Sequence, residues 1–186
     1  MDQFLGSGTT LVEAKLLNRN AVGVDINPQS ISISEKNLQF QCETNSKIRI
    51  QQGDATSLDF IKDGRIDFIC MHPPYASIIK YSKDLMGDIS LLAIDEFFCE
   101  MEKVASESHR VLKKGRMCAI MMGDTRHRGK IVPLGFQVMN IFLGKGFSSK
   151  EIIIKEQHNC RATDYWEKQN NNFLLLAHEY IFVFQK

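Results

Sequence analysis

FLGSGTTLVEAKLLNRNAVGVDINP, residues 4–28, reads as a glycine turn, a helix, a short strand and an acid at the strand's end. Gly6 and Gly8, one residue apart, let the backbone turn tightly and approach a ligand with no Cβ in the way. The helix predicted over 9–18 starts with unpaired N–H groups beside that turn. Residues 21–25 (AVGVD) form a compact apolar run that ends in Asp25. A carboxylate there can accept both hydroxyls of a ribose, although an acid before Asn27-Pro28 also suits a plain turn. Asn27 is a good N-cap for the next helix, with Pro28 at its first position.

The same alternation continues outward. Strands are predicted at 48–51 (IRIQ), 66–71 (IDFICM), 116–122 (RMCAIMM), 151–154 (EIII) and 177–184 (AHEYIFVF), and helices at 28–40, 95–112 and 134–143. The helix over 95–112 has apolar residues at 97, 98, 101, 104, 105, 111 and 112, close to period 3.6, and ends in Lys-Lys-Gly. Such alternation predicts an α/β fold: a doubly wound, mostly parallel sheet with helices on both faces. The last two strands have only polar residues between them, so an antiparallel pairing at one edge is expected. Glycine turns of this type normally follow a complete strand. Here only residues 1–5 precede the turn, so the first strand reads as truncated, a stub. No linker or internal repeat divides the sequence, which predicts a single domain over 1–186.

Composition narrows the classes. Hydrophobic residues make up 44% and charged residues 24%, enough for a real core. Lys+Arg is 23 against 22 Asp+Glu, so contact with a polyanion must come from local patches. No run approaches the 18 apolar residues of a membrane span, and no basic region followed by an apolar stretch opens the chain. A cytoplasmic protein without membrane contact is expected. Five cysteines at wide spacings, with no C-x-x-C, argue against a disulfide framework and a metal site. The cysteines and the eight methionines read mainly as core residues.

Two further places carry chemistry. In Gly53-Asp54-Ala55, after the second strand, an acid beside a permissive glycine could bind an adenine amino group, or be an ordinary loop aspartate. The glycine turn, Asp25 and Asp54 would together outline a nucleoside pocket at the carboxyl ends of the strands. The missing third glycine of G-x-G-x-x-G disfavours a dinucleotide. The sharpest signal is His72-Pro73-Pro74-Tyr75, directly after IDFICM. Two prolines remove two N–H donors and leave a fixed display of carbonyl acceptors. That arrangement suits a planar group with N–H donors, stacked on Tyr75; the plainer alternative is a rigid turn with a packed tyrosine. Ile78, Ile79 and Tyr81 read as a lid or as core. Arg126, Arg128 and Lys130 in RHRGK, and Arg161, Tyr165 and Trp166 further on, offer cations for phosphate and rings for stacking, or simply solvated charge.

Taken together, FLGSGTT, GVDINP, GDA and HPPY resemble the S-adenosylmethionine-dependent amino-methyltransferases that modify exocyclic nitrogens of DNA bases, adenine N6 or cytosine N4. The family pattern D-P-F-x-G-S-G-T-T meets Asp2-Gln3-Phe4-Leu5-Gly6-Ser7-Gly8-Thr9-Thr10, with Gln3 in place of proline. The catalytic pattern D/N/S-P-P-Y is met with His72 at its first position. The resemblance covers nearly the whole chain and implies a Rossmann-like methyltransferase fold without a separate target-recognition domain. It implies that Phe4, Gly6, Ser7, Gly8, Thr9, Asp25, Asn27, Asp54 and Ala55 hold S-adenosylmethionine. It also implies DNA as partner, with the target base flipped out of the duplex. His72 and the Pro73 carbonyl would accept the amine hydrogens, and Tyr75 would stack on the base. A neutral imidazole can accept one hydrogen bond and take up the released proton. Two alternatives stay open. One is an RNA guanine-amine methyltransferase with a similar P-P-Y turn. The other is an inactive or split subunit whose sheet is completed by a partner chain or a second copy. In the implied fold, residues 1–5 lie mid-sheet, between the strand of Asp25 and that of His72-Pro73-Pro74-Tyr75.

Overall fold

The structure, a computed structural model, describes residues 1–127, 130–157 and 174–186. In chain order the first elements are α1 (Thr9–Leu16), β1 (Ala21–Asp25), α2 (Pro28–Asn37), β2 (Ile48–Gln52) and β3 (Ile66–Met71). Two single 3₁₀ turns, Ala76–Ile78 and Ile89–Leu91, lead to α3 (Ile94–Val111) and β4 (Leu112–Met122). A hairpin of β5 (Thr125–His127) and β6 (Lys130–Val132), then α4 (Leu134–Gly144), β7 (Ser148–Glu156) and β8 (His178–Gln185) complete the order.

β1 pairs with β2 in parallel, and β3, β4, β8 and β7 lie side by side in that order. Residues 1–5 join these two halves. The Asp2 N–H donates to the Val22 carbonyl (3.0 Å), the Val24 N–H to that of Asp2 (2.8 Å) and the Leu5 N–H to that of Val24 (2.9 Å). On the other side, the Cys70 N–H donates to the Met1 carbonyl (2.9 Å) and the Met1 amine to the Phe68 carbonyl (2.7 Å). The stub therefore occupies the mid-sheet position expected of it, as a very short parallel segment with Asp2 opposite Gly23. β8 runs antiparallel to both β4 and β7, so the antiparallel strand sits one place in from the edge.

Apolar packing holds the larger half. α3 buries Phe97, Met101, Val104, Ala105, Ser108 and Val111, the stripe that its period predicts. With α4 it covers the sheet face formed by Ile69, Met71, Cys118, Ile120, Met122, Phe182 and Phe184. Phe142 of α4 stacks on Phe184 with ring centroids 5.3 Å apart. Among the described residues, the opposite face of these strands is partly open. There Phe68, Met117 and Ile153 are 49%, 39% and 48% exposed.

Several expected boundaries move. The helix predicted to 112 stops at Val111, and β4 begins at once and absorbs Lys113-Lys114-Gly115. Ile66 lies opposite Leu112 but Phe68 opposite Met117, so β4 bulges between them. Tertiary bonds hold the bulge: the Gly115 N–H donates to the Lys186 carbonyl (2.8 Å), and Lys113 pairs with Asp67 (2.8 Å). α1 and α2 end earlier than expected, at Leu16 and Asn37, while β7 extends in both directions. Of the described cysteines only Cys118 is buried, and Cys99 is exposed. Met71, Met101 and Met122 are core, whereas Met86 is 90% exposed. Among the described residues no helix is long and apolar enough to cross a membrane.

Candidate active site

The glycine turn is built by side chains that hold its backbone. Leu5 accepts from the Gly8 N–H (2.9 Å), and Gly8 then caps α1 in the left-handed conformation (φ 86°). A Cβ at Gly8 would lie 2.8 Å from Ser34 Oγ, so no other residue fits there without displacing α2. Ser34 itself is fully buried and donates to the Gly6 carbonyl (2.9 Å). Asp25, at the end of β1, accepts the Gly6 N–H on one oxygen (2.8 Å) and the Asn27 N–H on the other (2.9 Å). The Ser30 side chain also interacts with this carboxylate, which still has acceptor capacity for a ligand. Burial raises the Asp25 carboxyl above the usual range and the nearby Asp88 adds to the rise, against the backbone hydrogen bonds.

Asp2 and Gln3 are positioned beneath the turn. Asp2 is 5% exposed and accepts from Thr10 Oγ1 (2.6 Å) and the Phe4 N–H (3.0 Å). Burial raises its carboxyl too. Gln3 is 1% exposed; its amide donates to the Ala55 carbonyl (3.2 Å), and its oxygen accepts from Ser108 of α3 (2.7 Å). The residue that replaces the family's proline thus ties the stub to the Asp54-Ala55 loop and to α3. Asp54 accepts from the Thr56 N–H (2.8 Å) and hydroxyl (2.7 Å) through one oxygen, the geometry of an Asx turn. Asn27 caps α2 by accepting from the Gln29 N–H (2.9 Å) and reaches the Tyr81 carbonyl with its amide (3.2 Å).

These elements converge on a cavity of about 530 Å³, within the usual range for small-molecule sites. Of the residues expected to hold a ligand, Phe4, Gly6, Ser7, Thr9, Asp25, Asn27, Asp54 and Ala55 line it, joined by His72 and Pro74. Gly8, Pro73 and Tyr75 are not among its lining residues. Tyr81, Gly87, Asp88 and Ile89 close one side, and Cys70, Ala119, Met121 and Ile181 carry the cavity onto the open face of the sheet. Sequence patterns signalled only Tyr81 among these. Ile78, Ile79 and Tyr81 are 47%, 55% and 60% exposed, which excludes them from the core.

His72-Pro73-Pro74-Tyr75 leaves the carboxyl end of β3, next to the turn across residues 1–5. Pro73 is buried and His72 exposed. Ala76 follows in the left-handed region (φ 48°), uncommon for a residue with a Cβ. The Tyr75 hydroxyl donates to Glu179 Oε1 of β8 (2.6 Å) and lies 2.9 Å from His72 Nε2. Lys155 of β7 pairs with the other Glu179 oxygen (2.7 Å). Burial, helped by Lys155, lowers the His72 pKa, and Glu179 opposes that shift, so the imidazole is neutral near pH 7.

Of the expected nucleic-acid contacts, Arg126 lies in β5 and donates to the Leu174 carbonyl (2.7 Å), and Lys130 opens β6, exposed. What reads as a basic loop is thus a β-hairpin. Arg128, Arg161, Tyr165 and Trp166 lie outside the described residues.

Comparison with known proteins agrees with this layout. A SAM-dependent methyltransferase of Methanosarcina mazei superposes with a TM-score of 0.68 at 17% identity, over 100% of this chain and 90% of that one. A Thermus thermophilus protein assigned as a DNA modification methylase, solved with S-adenosyl-L-methionine, gives 0.53 at 22% identity, over 72% and 53%. By sequence, a tRNA (guanine(10)-N2)-dimethyltransferase of Pyrococcus abyssi is 26% identical over 80% of this chain and 41% of its own length. A release factor glutamine methyltransferase of Francisella tularensis subsp. tularensis is 31% identical over 61% of this chain and 40% of its own. The chain spans about two fifths of the length of these two relatives. The family model of the DNA methylases matches residues 1–36 and 66–186, which take in the glycine turn, β1 and the His72-Pro73-Pro74-Tyr75 turn. On that match the chain belongs to the DNA methylase family of S-adenosylmethionine-dependent methyltransferases.

Proposed function

We propose that this chain transfers a methyl group from S-adenosylmethionine to an exocyclic amino nitrogen of a DNA base, adenine N6 or cytosine N4. One observation carries the proposal. The glycine turn with Asp25, and the turn containing His72 and Pro74, open onto the same cavity from strand ends separated only by residues 1–5.

The residues present fit the cofactor. Gly6 lines the cavity, and a Cβ built on it meets nothing within 4 Å, so a ligand can lie against that backbone. Asp25 offers paired acceptors for a ribose diol, and Ile26 and Ile89 give apolar walls for a purine. When bound, the cofactor supplies an electrophilic methyl on a sulfonium. The chain supplies acceptors for the amine hydrogens. An aromatic amine is a weak nucleophile because its lone pair is delocalised into the ring. Acceptors aimed at its hydrogens favour the pyramidal nitrogen and therefore act mainly in the transition state. Arg126 and Lys130 place positive charge on the hairpin that follows β4, which suits phosphate.

A second reading has its own support: the relative from Pyrococcus abyssi acts on a guanine N2 of tRNA. Tritium transfer from labelled cofactor to defined DNA duplexes, and to tRNA, decides between them. Label in adenine or cytosine of the duplex supports the DNA reading. Label in tRNA guanine alone overturns it.

A further inference from the structure

The partners of Tyr75 impose a direction on a chain of hydrogen bonds. Its hydroxyl has one hydrogen. Glu179 is 6% exposed, receives Lys155 on Oε2 at 2.7 Å and stands 2.6 Å from the tyrosine oxygen through Oε1. Burial alone would raise the Glu179 carboxyl, but the bonds from Lys155 and Tyr75 and the nearby charges hold it below the usual range. As a carboxylate, Glu179 can only accept. The tyrosine hydrogen therefore points to Glu179, and the bond of 2.9 Å to His72 Nε2 must be donated by the imidazole. That leaves Nδ1 as the bare nitrogen of a ring that lines the cavity.

We propose that Glu179, acting through the Tyr75 hydroxyl, fixes His72 as its Nε2-protonated tautomer and thereby makes Nδ1 the acceptor for the proton leaving the substrate amine. This rests on the function proposed above. The nitrogen–methyl bond forms as the carbon–sulfur bond breaks, and sulfur keeps that electron pair. The surplus proton on nitrogen passes to Nδ1. The resulting imidazolium faces Glu179 Oε1 at 3.8 Å, with Lys155 beyond it, and its 46% exposed ring returns the proton to solvent. Tyr75 and Glu179 are positioning residues here, and neither touches the amine. The chemistry explains how a histidine can stand where the related enzymes carry Asp, Asn or Ser. A histidine with a wandering proton would present a donor to the amine for part of the time. A histidine pinned at Nε2 always presents an acceptor.

The test begins on the protein without cofactor. Two-bond nitrogen–proton correlation spectra of labelled protein near neutral pH should show His72 with Nε2 protonated and Nδ1 bare. In Glu179→Gln the amide can donate to the tyrosine oxygen, the tyrosine hydrogen can turn to Nε2, and the imidazole proton should move to Nδ1. Tyr75→Phe, which keeps the ring and its packing, should give an averaged pair of nitrogen signals. In methyl transfer at saturating cofactor, both variants should lose about tenfold or more in kcat, and cofactor Kd should stay within about twofold. The acidic limb of the kcat profile should move to lower pH in Glu179→Gln, because the imidazolium loses its counter-charge. A protonated Nδ1 in the parent protein overturns the proposal. So does a Glu179→Gln variant with unchanged tautomer, or with unchanged kcat and pH profile. Failure of the function itself is read elsewhere: the parent protein would transfer no methyl to any nucleic acid, whatever its tautomer.

Discussion

Around β1 and α2, position is set by polar groups that grip backbone: Asp25 holds Gly6 and Asn27, Ser34 holds Gly6, Asn37 holds Ser7 and Asp2 holds Phe4. On β3, β4 and β8, position is set by a dry stack of Phe142, Phe147, Phe182 and Phe184 under α4 and α3. The first half is thin and carries most of the ligand-facing groups. The second is thick and anchors the His72-Pro73-Pro74-Tyr75 turn. Titration behaviour differs in the same way. Asp2 and Asp25 are raised by burial, whereas Glu107, bonded to Arg110, and Glu179 are lowered. The molecule thus separates two tasks that compete within one core, holding the chain together and leaving polar groups free to bind.

The comparison is broken most directly at the stack. Phe184→Ala should cost about 3–5 kcal/mol of stability, as large-to-small changes in full cores do, measured by urea unfolding. A loss under about 1 kcal/mol would mean that the thick half is not the anchor. Asp25→Ala should act the other way, weakening S-adenosylmethionine by about 1.5–3 kcal/mol, the scale of charge-assisted hydrogen bonds. Calorimetric titration checks it, and an unchanged Kd removes Asp25 from the site.

Stability against pH separates the halves by sign. A carboxyl raised in the folded state contributes stability that is fully present below the ordinary aspartate pKa and lost as pH climbs through the raised value. Asp2 and Asp25 are of this kind. Glu107 and Glu179, being lowered, contribute stability present above the ordinary glutamate pKa and lost as pH falls through their folded values. Asp2→Asn should therefore gain on the parent protein as pH rises through the raised Asp2 value, and Glu107→Gln should gain as pH falls through the lowered Glu107 value. Urea unfolding of the cofactor-free proteins across that span measures both, and parallel curves would refute the distinction. The smallest effect is expected for Ser34→Ala, about 1 kcal/mol for one lost hydrogen bond. It should appear mainly as weaker cofactor binding; an equal loss of stability with full binding would place Ser34 with the core instead.

Much of this site was legible because its signals are local. Gly6, Gly8, Asp25, Asn27 and Asp54 announce themselves by spacing along strand ends, and most of them line one cavity. The stripe of α3 was legible for the same reason. What stayed hidden depends on distance. Tyr75 and Glu179 are 104 residues apart, and Gln3 and Ser108 are 105 apart. No local pattern announces either bond. The tyrosine read from its neighbours as a base-stacking ring has its hydroxyl committed to a strand that follows much later. Lys-Lys-Gly is also how helices end, and the bonds that make it a bulged strand come from distant residues, Asp67, Gln185 and Lys186.

Residues 1–5 are both the seam between the halves and part of the wall of the cavity. A molecule resting on Phe4 and Gly6 therefore presses on the same backbone that closes the sheet. Binding and seam closure are then one linked equilibrium, and a ligand at a hundredfold its Kd adds about 2.7 kcal/mol to the closed form. If S-adenosylmethionine rests there, it would act as a rivet as well as a reagent, and the closed seam would gain with cofactor concentration.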